Sequence, residues 1–252
     1  MISTKRKEII LEQLYQLDSV SVEELVDLIH ASAATIRRDL TNLENEGKVR
    51  RIHGGAQLSK ESRRINEESE LSSNRKTDIH LAEKQRIAKR AAGLVIDGDC
   101  IFIDSGTTPA IIYEFIRHKN VTILTNNYMV IEKVKHSDTA KVIFGAGEFN
   151  AALKLVGGFL FLDIIKQFSF DHAFIGTSGF NLKSHQCTCT TLEASSFKKY
   201  AMLNSEHSYL VADSSKRNEK GIVCFALLEE FDSILTNEFP DKTDVDNIVF
   251  CT

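Results

Sequence analysis

Seven short apolar runs follow residue 99: CIFID, VTILT, KVIFG, HAFIG, SYLVAD, SILT and NIVFC. They are rich in β-branched and aromatic residues and bounded by polar or turn-forming ones, which reads as strands. Helical patterns lie between several of them. One more runs near 80–96, with Leu81, Ile87, Ala88, Ala91 and Val95 on its apolar face. Strand and helix in alternation predict a largely parallel α/β sheet.

The first 58 residues read differently. Ile10, Leu14 and Leu17 share one helical face. Ser21 with Glu24 three residues on has the pattern of a capping box, and Val22, Leu25 and Ile29 form the stripe behind it. Ser32 is placed to cap a third helix, carrying Ile36, Leu40 and Leu43, with Gly47 as its stop. KVRRIHGGAQL then offers two short β-like runs around His53, Gly54 and Gly55, where the glycines supply the positive φ of a hairpin turn. Three helices and a hairpin predict a winged helix-turn-helix. The stretch 59–78, SKESRRINEESELSSNRKTD, is polar and mixed in charge and reads as a linker. The expected chain is therefore α/β with a small winged-helix N-terminal domain: residues 1–58 form that domain, 59–78 the linker and 79–252 a larger α/β domain.

The formal net charge of −4 gives no global attraction to nucleic acid. Residues 1–58 hold eight Lys and Arg against nine Asp and Glu, so a DNA reading rests on placement. In the third helix Ala34, Arg37, Arg38 and Thr41 fall opposite the apolar stripe. Small residues there let a helix enter the major groove, and paired arginines read guanine edges or grip phosphate. Ser32 and Thr35 stand at the helix start, where backbone N–H groups favour phosphate. Lys48, Arg50, Arg51 and His53 make the hairpin positive. The competing reading, a solvated charged helix in a protein-binding winged helix, explains none of this agreement.

CIFIDSGTTPAIIYEFI, residues 100–116, carries a second signal. A strand runs into Asp104, then a small-residue turn, then a helix with Thr108 expected as cap and Pro109 in the first turn. Gly106 lets the backbone approach a ligand. The hydroxyls of Ser105, Thr107 and Thr108, with free helix N–H groups, can hold a phosphate. Asp104, Asn126 and Glu148 can bond sugar hydroxyls, Lys216 can neutralise phosphate, and Glu193 is a further candidate. For each of these the plainer role is a helix cap or a surface charge.

SAATIRRDLTNLENEGKVRRIHGGA, from Ser32 to Ala56, resembles the signature of the DeoR/GlpR family of bacterial transcription regulators. Ala31 stands where the family usually has Val. Later blocks are similar too: IFIDSGTT, LTNN, AFIGTSGF and LVADSSK, with GAGEFN, including Gly147 and Glu148, where the family has a Gly pair. The segment LKSHQCTCTTLEAS departs from the family, with His185 and Gln186 near positions usually held by an acidic residue and a Gly. The resemblance implies a sensor fold related to ribose-phosphate isomerases, a phosphorylated sugar as effector, a repressor role, an operator in double-stranded DNA and a homodimer or homotetramer.

Other classes fit less well. No apolar run approaches the roughly 18 residues of a membrane span, and no signal-peptide pattern follows the start, so a cytoplasmic location is expected. Five Cys without framework spacing read as reduced thiols, and CTC at 187–189 as small residues in an extended segment, with no metal site expected. No G-x-G-x-x-G follows a strand, which argues against a nicotinamide cofactor; none is expected. A sugar-phosphate isomerase using Asp104, Glu193 and Lys216 as acid–base groups is the enzymatic alternative, and the attached DNA module argues against it; no catalytic residue is assigned.

Overall fold

The computed structural model describes residues 3–17, 19–52, 54–59, 79–151, 153–240 and 245–252. The chain divides into two compact units, residues 1–71 and 72–252. The linker expected at 59–78 lies, except for Ser59, outside the described residues, as does His53.

The first unit holds α1 (Ser3–Leu17), β1 (Ser19–Ser21), α2 (Val22–Ile29), α3 (Ala33–Asn45), β2 (Val49–Ile52) and β3 (Gly55–Leu58). The stripes read from the sequence meet in one core, where Ile10, Leu14, Leu25, Ile36, Leu40 and Leu43 are fully buried. The side chain of Leu17 lies outside the described residues. The capping box forms: Ser21 Oγ accepts from Glu24 N at 3.2 Å, and Glu24 Oε2 accepts from Ser21 N at 2.8 Å. Those bonds from Ser21 hold the Glu24 carboxyl below its ordinary pKa. Ser32 caps α3 through Thr35 N at 3.2 Å, and Gly47 ends it at φ +72°.

Strand β1 is a difference from the sequence reading. Three residues are too few to show a period, yet they pair antiparallel with β3, giving the order β1-β3-β2. The close approach needs Gly55, because a Cβ there would lie 2.2 Å from the Val20 carbonyl oxygen. Gly55→Ala is expected to destabilise this unit by about 1–3 kcal/mol, the usual range for forced overpacking. An unchanged urea midpoint for the first unit would rule this out.

The second unit runs α4 (Leu81–Ala92), β4 (Cys100–Ile103), α5 (Thr107–Ile116), β5 (Thr122–Thr125), α6 (Tyr128–Ile131), β6 (Lys141–Phe144), β7 (Glu148–Asn150), β8 (Leu155–Gly157), α7 (Phe159–Ile165), β9 (Phe170–Ile175), β10 (Gly179–Phe180), β11 (Gln186–Cys189), α8 (Leu192–Leu203), β12 (Ser205–Val211), β13 (Val223–Leu227), β14 (Ser233–Thr236) and β15 (Ile248–Phe250). Each of the seven apolar runs supplies one strand of a single sheet, ordered β15-β14-β12-β9-β4-β5-β6 and parallel throughout.

Both faces of the sheet are covered. Ile101 and Ile103 pack with Ile87 and Ala91 of α4 and with Ile112 and Tyr113 of α5. Phe102, between them, packs with Phe161 of α7 and Phe197 of α8. Burial on two faces is why the strands read as nearly continuous apolar runs instead of alternating ones. Leu81, expected on the apolar face of α4, is its first residue and stays exposed.

Two small sheets stand outside this frame. β7 and β8 form an antiparallel arm, and β10, β11 and β13 form an antiparallel sheet in which Cys187 and Cys189 of the CTC segment are buried. Their strands are too short for the sequence to display a period.

Candidate functional site

In the first unit, α3 carries the candidate DNA-reading face. Ala34, Arg37, Arg38 and Thr41 are all exposed, while Ile36, Leu40 and Leu43 are sealed beneath. Among the described residues no hydrogen bond or ion pair engages the guanidinium of Arg37 or Arg38, so both are available to a partner. The Ser32 and Thr35 hydroxyls lie 2.9 Å apart at the helix start. Asp39, between Arg38 and Leu40, is turned inward and takes a two-point contact from Arg6 of α1, at 2.8 and 3.3 Å.

The hairpin's basic residues differ among themselves. Arg50 is exposed. Lys48 is also exposed and pairs with Glu46 at 3.0 Å. Arg51 turns back onto α3, where its Nη1 donates to Thr41 Oγ1 at 3.1 Å. Arg37, Arg51 and Gly54 share an open cleft with Glu23 and Asp27 of α2.

In the second unit the candidate effector residues gather at the carboxyl ends of the sheet strands, where open α/β sheets bind ligands. Asp104 follows β4 and is 1% exposed. Its carboxylate accepts from the Lys198 ammonium of α8 and from Gly176 N at 2.9 Å, just past β9. Lys198 also donates to Gly176 O at 3.1 Å. The turn after Asp104 is led by Gly106 at φ +110°, which is the N-cap of α5. The cap is therefore Gly106 and not Thr108 as expected. A positive φ turns the chain two residues earlier and puts Thr107, Thr108 and Pro109 inside the first helical turn. No side chain caps this end, which leaves the N–H groups of the first turn without a side-chain acceptor.

Asn126 and Asn127 follow β5, and both are 1% exposed. Asn127 Nδ2 donates to Asp104 O at 3.0 Å and Gly106 O at 2.8 Å, which fixes the turn. Asn126 Nδ2 donates to Val156 O at 3.1 Å, while its Oδ1 is buried with no partner. A buried acceptor left unpaired costs about 1–3 kcal/mol, which a ligand donor would recover.

The remaining candidates divide. Glu193, in the first turn of α8, accepts from Gly158 N at 2.6 Å at the start of α7. Gly147 lies against β8, where a Cβ would sit 1.8 Å from Gly157 O. Glu148 is exposed on the arm. Lys216 ends a short 3-10 turn after β12, two strands from Asp104, and its ammonium joins none of these contacts. Thus Asp104, Ser105, Gly106, Thr107, Thr108 and Asn126 come together, Gly147 and Glu193 border them through β8 and Gly158, and Lys216 stands apart.

Sequence reasoning missed Lys198, Asn127 and Gly176. Lys198 carried a readable signal: Ala194, Lys198 and Ala201 fall at i, i+4, i+7, so a lysine occupies the apolar face of a helix. Burial pushes the thiols of Cys187 and Cys189 above their ordinary pKa, which keeps them neutral and unreactive. Among the described residues no group of three or more His, Cys, Asp or Glu is placed to hold a metal ion, and no helix is long and apolar enough to cross a membrane.

Residues 6–62 match the model of the DeoR-like helix-turn-helix domain, and residues 79–238 that of the DeoR C terminal sensor domain. The chain is 32% identical over 238 residues, 94% of this chain and 92% of the other, to an uncharacterized HTH-type transcriptional regulator, FruR, of Bacillus subtilis (strain 168). It is 32% identical over 241 residues, 95% and 93% of the two chains, to the glycerol-3-phosphate regulon repressor of Escherichia coli (strain K12). Identity is 30% over 232 residues, 91% and 90%, with the lactose phosphotransferase system repressor of Staphylococcus aureus (strain NCTC 8325 / PS 47). Among solved structures, ribose 5-phosphate isomerase A of Neisseria gonorrhoeae is similar at a TM-score of 0.37 and 16% identity, covering 54% of this chain and 53% of that one. Likeness at that level carries no argument about function.

Proposed function

The chain belongs to the DeoR family of DNA-binding transcription regulators, and from that premise we propose that it represses a sugar-catabolism operon and takes a phosphorylated sugar as its effector. The observation that carries this reading is the cluster of polar groups at the sheet's carboxyl edge. There the Asp104–Lys198 pair, the uncapped Gly106 turn and the unpaired Asn126 Oδ1 adjoin one another. A phosphate suits the turn's free N–H groups and the hydroxyls of Ser105, Thr107 and Thr108. A sugar hydroxyl suits Asn126, and Lys198 supplies the buried positive charge. Glu193 and Gly147 border this cluster; Glu148, on the exposed arm, and Lys216, two strands away, would reach a bound ligand only from outside it.

On this reading residues 1–58 read DNA, 59–78 link and 79–252 sense. Ala34, Arg37 and Arg38 face the major groove, with Ser32, Thr35, Lys48, Arg50 and His53 toward the backbone, while Thr41 and Arg51 engage each other between α3 and the hairpin. Two copies, as a homodimer or within a homotetramer, read two half-sites of an operator in the cytoplasm. Two relatives are named for a glycerol-3-phosphate regulon and a lactose phosphotransferase system, which supports a phosphorylated carbohydrate as the effector class. The ligand must favour one arrangement of the DNA readers over another, or occupancy changes nothing.

The test is fluorescence anisotropy with a duplex selected by the full chain from a randomised pool, at fixed salt, with sugar phosphates added singly. One of them is expected to shift operator affinity about tenfold, equal to about 1.4 kcal/mol of coupling. No shift with any phosphorylated sugar would remove the effector half of the reading.

A further inference from the structure

We propose that Arg51 is not a phosphate contact but a positioning residue, which clasps the hairpin to α3 and so sets the angle at which Arg37 and Arg38 meet the bases. This rests on the reading of α3 as the DNA-reading helix. Three contacts join the same two elements. The Arg51 backbone N–H donates to Glu44 Oε1 at 2.8 Å. Its Nη1 donates to Thr41 Oγ1 at 3.1 Å and to Arg37 O at 3.4 Å. Thr41 completes the clasp by donating its own hydroxyl to Arg37 O at 2.9 Å.

The clasp acts on the residues whose direction matters most. Arg37 O is the anchor for both Arg51 and Thr41, so the backbone that aims the Arg37 side chain is held from the hairpin side. Register strengthens this: Arg51 pairs with Ala56 of β3, which in turn pairs with Val20 of β1, so the hairpin is tied into the core sheet. The Arg51 Nε is buried without a partner, a cost accepted while the rest of the guanidinium stays folded back. The guanidinium groups of Arg37 and Arg38, by contrast, have no hydrogen-bond or ion-pair partner among the described residues. The division of labour follows: free arginines read, and the engaged arginine holds.

Phosphate contacts and positioning contacts are separable by measurement. Losing a phosphate contact weakens specific and random duplexes alike and lowers the salt slope by about one. Losing a positioning contact weakens the specific duplex alone. The experiment uses full-length Arg51→Gln, Thr41→Val and the double variant. Each is titrated against the pool-selected duplex and a random duplex over a range of salt.

The expected result for Arg51→Gln is about a tenfold loss on the selected duplex, the scale of one mismatched base pair. Affinity for random DNA should stay within about twofold with the salt slope unchanged. Thr41→Val is expected to cause a similar loss, and the double variant no more than either single, because all three break one clasp. Equal losses on both duplexes with a reduced slope, or additive losses, would overturn the proposal, as would no loss at all. If Arg51→Gln fails to fold, the specific-to-random split in Thr41→Val decides alone. A wild-type chain that selects no sequence from the pool indicts the DNA reading itself and not the clasp.

Discussion

Asp104→Ala is expected to destabilise the C-terminal unit by about 3–5 kcal/mol, the cost of stranding one partner of a buried ion pair. The Lys198 ammonium would keep Gly176 O at 3.1 Å and the face of Phe225 at 5.4 Å, neither of them an anion, and Gly176 N would lose its acceptor. Lys198 is 4% exposed, so water does not readily replace the lost carboxylate. Asp104→Ala combined with Lys198→Met removes both charges and is expected to recover most of the loss. Urea denaturation followed by circular dichroism measures both. A single-variant loss below about 1 kcal/mol would mean that the pair is effectively solvated. The recovered double variant should still bind operator and no longer respond to a sugar phosphate, which separates the pocket's structural and sensory roles.

The second large effect belongs to Asp39, inside the R-R-D-L segment. Its carboxylate is 1% exposed and is gripped by Arg6 through two nitrogens, at 2.8 and 3.3 Å. Two-point guanidinium–carboxylate contacts are among the stronger ion pairs. Asp39→Ala leaves the Arg6 cation largely buried against a cavity, and about 3–5 kcal/mol of the first unit's stability should go with it. DNA binding would fall because the packing of α3 on α1 is weakened, although the Asp39 carboxylate is turned inward. Operator binding measured at low temperature, where the variant is folded, should approach that of the wild type. A variant that unfolds like the wild type but cannot bind DNA would show that Asp39 acts directly at the DNA and not through the fold.

The legible parts of this chain were those whose physics is local. Seven strands announced themselves because burial on both faces of the central strands demands nearly continuous apolar runs. The caps at Ser21 and Ser32 were visible because side chain and target lie three residues apart. The pocket was half visible. Asp104 and the Gly106 turn sit in one contiguous stretch, but Lys198 is 94 residues from its carboxylate partner. The contacts of Arg51 were hidden for a similar reason: a basic hairpin predicts a positive tip, and the bonds to Thr41 and Glu44 appear only once α3 and the hairpin are packed together. β1 and the β7–β8 arm gave no signal, since three residues cannot display a period of two.

The strand order also bears on biosynthesis. In the middle of the sheet Ile101 pairs with Ile123 on one side and with His172 on the other. The central seam therefore cannot close until β9 has left the ribosome, and non-local parallel pairing is slow. Every contact in the core of the first unit is made within its first 58 residues. Nascent domains fold from the N-terminus onward, so we expect the DNA-binding head to be complete while the domain that governs it is still a string of unpaired strands. Pulse-labelling hydrogen exchange on ribosome-bound chains would show α3 amides protected before those of β4, and the reverse order would refute this. A chain cut short before β9 would then carry a folded first unit beside a sheet that lacks its central seam.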